Sequence, residues 1–271
     1  MATRFVINQT HPCTLAFFRY AIGTVCIFIP LMAAARVPFA RRDLLPLSLL
    51  GIVQFGVVVA LLNFALQFIP SGRAALIFAT LPLQTMIIAA FFGYERLTLA
   101  KSVGVVLTVI GVGFVIGQNV FGEAQARGWM GDAAVFVSAF SAAFCSVLYR
   151  PYLQRYPTLQ VSGFSMMASV FFLAVLAARE GLFSTLPHFT PGGWSAVLFI
   201  GISSGVGYYL WLWALNHTTP TRVTIFLALN PITAAGLGFL FLDEKVTDSL
   251  LIGIACVVLG LGAAVYGRSS S

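Results

Sequence analysis

The sequence predicts an all-α polytopic membrane protein made of two inverted-topology repeats, and three observations predict it. First, 59% of the 271 residues are hydrophobic and 8% are charged, with a mean hydropathy of +0.96. A soluble domain carries about a quarter charged residues, so these charges are too few to cover a surface facing water. Second, the apolar runs are about 20 residues long, which suits a membrane-crossing helix; a barrel strand would need roughly 10 alternating residues. Helices also satisfy every backbone polar group internally, as lipid requires. Third, the chain contains one stretch twice. Residues 73–113 fall without a gap on residues 222–262, at an offset of 149. That register pairs Arg73 with Arg222, Pro82 with Pro231, Glu95 with Glu244, Thr98 with Thr247 and Gly104 with Gly253. Two Leu/Ala/Gly-rich segments would not share so many unlike residues by chance, so the register marks an internal duplication.

Nine apolar spans can be counted, at residues 14–35, 44–69, 74–94, 100–118, 130–149, 159–178, 195–216, 223–242 and 250–266. The connections are short, such as Pro70-Ser71-Gly72, and leave no room for a soluble domain. The second repeat, 123–271, holds five spans and the first, 1–122, holds four. The expectation is therefore a ten-helix fold whose first helix is missing from this chain, with helices 2–5 in the first repeat and helices 6–10 in the second. Thr3-Arg4-Phe5-Val6 resembles Tyr149-Arg150-Pro151-Tyr152, the end of the matching helix in the second copy. A nine-span protein is the plainer alternative. A five-span unit is odd-numbered, so its second copy enters the membrane upside down. That is the inverted repeat of many secondary transporters, with substrate bound near the midplane.

Charge sets the expected orientation. With the carboxyl end in the cytoplasm, nine basic residues lie inside (Arg36, Arg41, Arg42, Arg96, Lys101, Arg150, Arg155, Arg222 and Arg268) and five outside (Arg4, Arg73, Arg127, Arg179 and Lys245). The positive-inside rule favours this choice. The same loop placement accounts for the net charge of +7, which in a soluble protein would point to nucleic acid. The four cysteines show no CxxC and no Cys/His spacing for a metal, and three of them lie inside apolar runs. The sequence shows no nucleotide loop and no nucleophile–base or paired-carboxylate arrangement. The expectation is a non-enzyme with no cofactor, no metal, no nucleic-acid partner and no obligate protein partner.

Three segments resemble a known family. Pro12-Cys13-Thr14-Leu15-Ala16-Phe17-Phe18-Arg19-Tyr20 is similar to its Pro…Arg-Phe segment. Ala228-Leu229-Asn230-Pro231-Ile232, followed by Phe241-Leu242-Asp243-Glu244-Lys245, resembles its Leu-x-Pro…Glu motif. Leu81-Pro82-Leu83 with Gly93-Tyr94-Glu95-Arg96 is the same motif in the first half. The family is the drug/metabolite transporter superfamily, in its EamA branch, and the resemblance covers essentially the whole chain. It implies ten helices in two inverted repeats around a central cavity, with both termini inside; the short loops and the lack of an organelle signal point to a bacterial inner membrane. It also implies export of small metabolites by alternating access, with similarity to bacterial exporters of aromatic and other neutral amino acids. The departure is the missing first helix, which in the family helps line the cavity. An exporter of drugs or nucleobase-like metabolites is the alternative, and an intramembrane enzyme or a scaffold is the alternative of another class.

Several residues then become candidates. Pro82 and Pro231 remove a backbone donor near mid-span, freeing the carbonyls of Phe78 and Leu227; they either bend a cavity-lining helix or are tolerated kinks. Phe226, Asn230 and Thr233 share one helix face, and their duplicates are Ile77, Leu81 and Gln84. Polar groups facing lipid are costly, so Gln84, Asn230 and Thr233 either bind a polar substrate group or bond a neighbouring helix. Tyr208 and Trp211 lie too deep for an interfacial belt and either stack on a substrate or pack a core. Asn63 is a further deep polar candidate. Arg73, Glu95, Arg222 and Glu244 stand at helix ends in symmetric positions and either pair as gates or anchor the ends. Arg19 lies within a span near its outer end, where it can snorkel. Gly201-x-x-x-Gly205 permits close helix contact.

Overall fold

The computed structural model describes residues 6, 10–34, 37–94, 99, 103–104, 107, 110–111, 128–182, 189–225, 227 and 248–266. The elements among them are helices: α1 (Pro12–Ala33), α2 (Arg41–Gly51), a π-helical segment (Ile52–Val57), α3 (Val58–Ala65), α4 (Ser71–Phe78), α5 (Leu81–Phe91), α6 (Gly128–Leu148), α7 (Arg150–Leu153), α8 (Thr158–Arg179), α9 (Pro191–His217), α10 (Pro220–Ile225) and α11 (Asp248–Tyr266). Among the described residues six helical stretches are long and apolar enough to cross a membrane: Cys13–Ala33, Arg41–Ala65, Arg73–Phe91, Gly128–Leu153, Thr158–Arg179 and Pro191–His217. They overlie six of the expected spans to within a few residues. The last expected span is helical as α11. Most of the spans at 100–118 and 223–242 lies outside the described residues.

Contacts divide the chain into two compact units, residues 1–60 with 148–218 and residues 61–147 with 219–271. In the first unit, α1 packs along α8 and α9, and α8 also packs on α2 and the π segment. Small residues set the closeness. A Cβ on Gly23 would meet the Gly201 carbonyl oxygen at 3.1 Å, and one on Gly205 would meet the Gly23 carbonyl oxygen at 2.6 Å. Gly51 is tighter still, because its Cβ would collide with the backbone of Ser165 on α8. The helices touch backbone to backbone at these points, which compensates for the weak hydrophobic drive between helices in lipid.

The start of α1 shows how the unit closes its helix ends. Pro12 has no N–H, so the first free donors are Cys13 and Thr14. Both donate to the Glu180 carboxylate, at 3.1 and 2.8 Å, and the Thr14 hydroxyl adds a third bond at 3.0 Å. Glu180 is held there by the end of α8. Gly181 takes the left-handed conformation (φ +90) and donates to Ala178, while Leu182 donates to Ala177 at 3.0 Å. This double bond with a left-handed glycine is a Schellman ending. Elsewhere in the unit the segment before α2 is stitched down by side chains. Gln160 pairs with both backbone groups of Val37, accepting at 3.0 Å and donating at 2.5 Å. The Tyr156 hydroxyl donates to buried Asp43 at 2.7 Å and accepts from the Ala40 N–H at 3.1 Å.

In the second unit, Ala65, Ile69, Leu76, Ile77, Leu83, Met86, Val135 and Val257 form the core, so α3, α4, α5, α6 and α11 converge there. α10 packs on α5. α5 also ends in a Schellman turn: Gly93 is left-handed (φ +74) and Tyr94 donates to Ala89 at 2.8 Å. Gly111 faces Cys256 and the Gly253 carbonyl of α11. The two duplicated glycine-bearing stretches therefore touch at their glycines.

Gly51→Ala is expected to lower the thermal stability of the detergent-solubilised protein by about 1–3 kcal/mol through overpacking against a backbone that cannot retreat. Gly207→Ala, whose Cβ would have nothing within 4 Å, is expected to be neutral or mildly stabilising. Equal melting temperatures for the two variants would contradict the close α2–α8 contact.

Candidate functional site

The third span is not one helix. α4 ends at Phe78, Ala79 and Thr80 form a turn, and α5 starts at Leu81 with Pro82 in its first turn. Pro82 thus stands at the second position of α5, in the first turn, where a helix tolerates proline. The break is wired by side chains. The Thr80 hydroxyl donates to the Ile77 carbonyl at 2.7 Å, and Gln84 reaches back one turn so that its Nε2–H donates to Thr80 Oγ1 at 2.8 Å. Gln84 is 8% exposed, and its Oε1 has no hydrogen-bond partner among the described residues. Asn63 is buried on α3, and Phe78 packs against the core of the same unit.

The first unit holds an aromatic group around Tyr208. Its ring lies 4.3 Å from Phe55 and 6.3 Å from Tyr149, and Phe55 lies 4.8 Å from Tyr20, centroid to centroid. All four are buried. Phe55 sits in the π segment, where the extra backbone residue per turn re-aims side chains. Trp211 is half-buried on α9, one turn from Tyr208. Phe226, Asn230, Thr233, Pro231, Glu95 and Glu244 lie outside the described residues.

Of the four end charges, Arg73 and Arg222 lie among the described residues. Arg73 binds Asp132 of α6 with both ends of its guanidinium, Nε to Oδ1 at 2.8 Å and the second nitrogen to Oδ2 at 2.5 Å. The side chains are 12% and 11% exposed. Arg222 is exposed on α10. Arg19 turns onto α9, where its Nε donates to Ser204 Oγ at 2.6 Å. Sequence reasoning passed over Asp132 and Glu180. Asp132 carried a usable signal, because a carboxylate inside an apolar run needs a cationic partner. Glu180 carried none, since nothing local says it will cap a helix 166 residues away.

The described residues thus form packed helices of membrane-crossing length, one of them broken. Comparison with known proteins identifies the family. The model of the EamA-like transporter family matches residues 1–117 and 129–266. The chain belongs to the EamA-like transporter family. It is 22% identical to an uncharacterized transporter, YoaV, of Bacillus subtilis, over 96% of this chain and 89% of that one. It is 27% identical to a probable terminal-alkyne amino-acid exporter of Streptantibioticus cattleyicolor, over 91% of this chain and 82% of that one. It is 26% identical to the pseudopaline exporter CntI of Pseudomonas aeruginosa, over 90% and 84%. A crystal structure covering 99% of this chain and 94% of its own superposes with a TM-score of 0.73 at 22% identity, a likeness of fold. This EamA-like protein is therefore a multi-pass membrane transporter, not an enzyme, and its substrate is a small molecule.

Removing one partner of a buried ion pair leaves the other charge uncompensated, so Asp132→Ala is expected to destabilise the EamA-like chain by about 3 kcal/mol or more. The Arg73→Ala/Asp132→Ala double variant is expected to recover part of that loss in thermal unfolding. A double variant as unstable as the sum of the singles would show that the two side chains act independently.

Proposed function

We propose that this protein is an inner-membrane exporter of amino acids with aromatic or other apolar side chains. It works by alternating access between two inverted repeats, 1–122 and 123–271, with its carboxyl end in the cytoplasm. The observation that carries the substrate class is the buried aromatic group of Tyr208, Phe55, Tyr149 and Tyr20 in the first unit. Edge-to-face and tilted rings of this kind offer an aromatic side chain partners at little conformational cost. The similarity to a probable terminal-alkyne amino-acid exporter supports the amino-acid class. Within the first unit we assign substrate contact to Tyr208 and Trp211, and within the second to Asn63, Phe78 and Gln84. Phe226, Asn230 and Thr233 are assigned by the polar face they form in the sequence. The remaining symmetric features, Pro231, Glu95, Arg222 and Glu244, are assigned to helix bending and end anchoring.

The test is uptake of labelled phenylalanine into liposomes holding the whole chain. Saturable uptake competed by other neutral amino acids is expected. Tyr208→Leu, which keeps the apolar volume and removes the ring, is expected to raise KM about fivefold. No uptake by protein with a cooperative thermal transition would overturn the amino-acid assignment and leave the family membership standing.

A further inference from the structure

The break between α4 and α5 contains a buried acceptor with no donor among the described residues. The Thr80 hydroxyl gives its proton to the Ile77 carbonyl, so its lone pairs face Gln84 and the Gln84 amide must present its NH2 group there. The amide oxygen is left over, sealed from solvent and without a donor among the described residues. The Phe78 carbonyl ends α4 at the same break, and Pro82, four residues on, has no N–H to give it. Gln54 Oε1 and Ser169 Oγ also lack a partner among the described residues, but neither sits where a proline has also taken away a backbone donor. A buried amide oxygen without a donor is costly, and broken helices in transporters place such groups at binding positions.

We propose that this break binds the ammonium group of the substrate, with Gln84 Oε1 and the Phe78 carbonyl as its acceptors. Both groups are acceptors, so they recognise N–H donors and reject carboxylates. In the conformation described here the Gln84 oxygen is covered, and the ammonium reaches it when α4 and α5 part at Ala79–Thr80. This assignment rests on the amino-acid reading above, since it requires a substrate with a charged amine.

The experiment measures thermal stabilisation of the whole purified chain by phenylalanine, by phenethylamine, which keeps the ammonium, and by 3-phenylpropanoate, which lacks it. Each ligand is titrated in sodium and in choline buffer. Wild type is expected to bind the two amines, and 3-phenylpropanoate at least about tenfold more weakly, as loss of a charge-assisted hydrogen bond requires. Gln84→Met, similar in length and lacking the acceptor, is expected to erase that preference, and Gln84→Glu to keep it. If wild type binds phenylalanine but Gln84→Met retains the full amine preference, the ammonium assignment falls and the amino-acid reading stands. If none of the three ligands binds wild type, both fall. If the effect of Gln84→Met appears in sodium buffer only and is the same for all three ligands, the break is a metal-cation site and the ammonium assignment is overturned. An unfolded Gln84→Met variant is replaced by Gln84→Leu, judged by the same ratio.

Discussion

A backbone N–H or C=O removed from water must find a partner inside the protein, and that constraint explains most of the specific side-chain contacts in this chain. Regular helix meets it automatically, so the demand concentrates where helices start, stop or break. At the start of α1 the demand is met by Glu180, and the ends of α5 and α8 are met by left-handed glycines that fold the last amides back. Where the chain runs extended before α2, Gln160 supplies both halves of the missing pair to Val37. Each solution also fixes a tertiary relation. Glu180 ties the end of α8 to the start of α1, and Gln160 ties α8 to the segment leading into α2. The fold of the first unit is in this sense written at its helix termini.

Between the termini a different economy holds. Helices in lipid gain little from hiding apolar side chains from one another, so they gain by touching closely. Gly23, Gly201 and Gly205 bring α1 and α9 into backbone contact, and Gly51 does the same for α2 against Ser165. The π segment follows directly after Gly51. Within it Phe55 faces the Tyr208 ring and Gly56 receives Phe172.

What the sequence showed and what it hid divide along this line. Spans were legible because the solvent imposes them: the length and polarity of 159–178 or 195–216 admit few other structures, and the helices fall within a few residues of those bounds. Family membership was legible because motifs such as Leu81-Pro82-Leu83 and Phe241-Leu242-Asp243-Glu244 are short and local. Pro82 announced an interruption but not its place. The break falls at Ala79–Thr80, ahead of the proline, since a helix accepts proline in its first turn and rejects it further in. The Arg73–Asp132, Glu180–Thr14 and Gln160–Val37 contacts were hidden, with partners 59, 166 and 123 residues apart and no periodicity to join them. Among the proposed contact residues, Tyr208 and Gln84 stood out by depth and polarity alone. Their surroundings, Phe55 and Thr80, are products of a π turn and a helix break that no hydropathy pattern encodes.

The polar residues inside the spans then sort by how they are satisfied. Thr24, Ser48, Thr85, Ser146 and Ser162 each donate to the carbonyl four residues back in their own helix. Such residues are inexpensive in an apolar setting, because the helix they sit on removes their need for any partner. Gln84 belongs to another group. Its amide is too large to be absorbed by one carbonyl, half of it is used to hold a break together, and the other half is left buried. A methionine or leucine would fill the same volume without the penalty of about 1–3 kcal/mol that an unsatisfied buried group carries. The fold can do without that oxygen, since the core around α4 and α5 is closed by Leu76, Ile77, Leu83 and Met86. The Gln84 oxygen is therefore the polar group of α5 that the proposed ammonium site would use, whereas the serines and threonines named here are satisfied by their own helices.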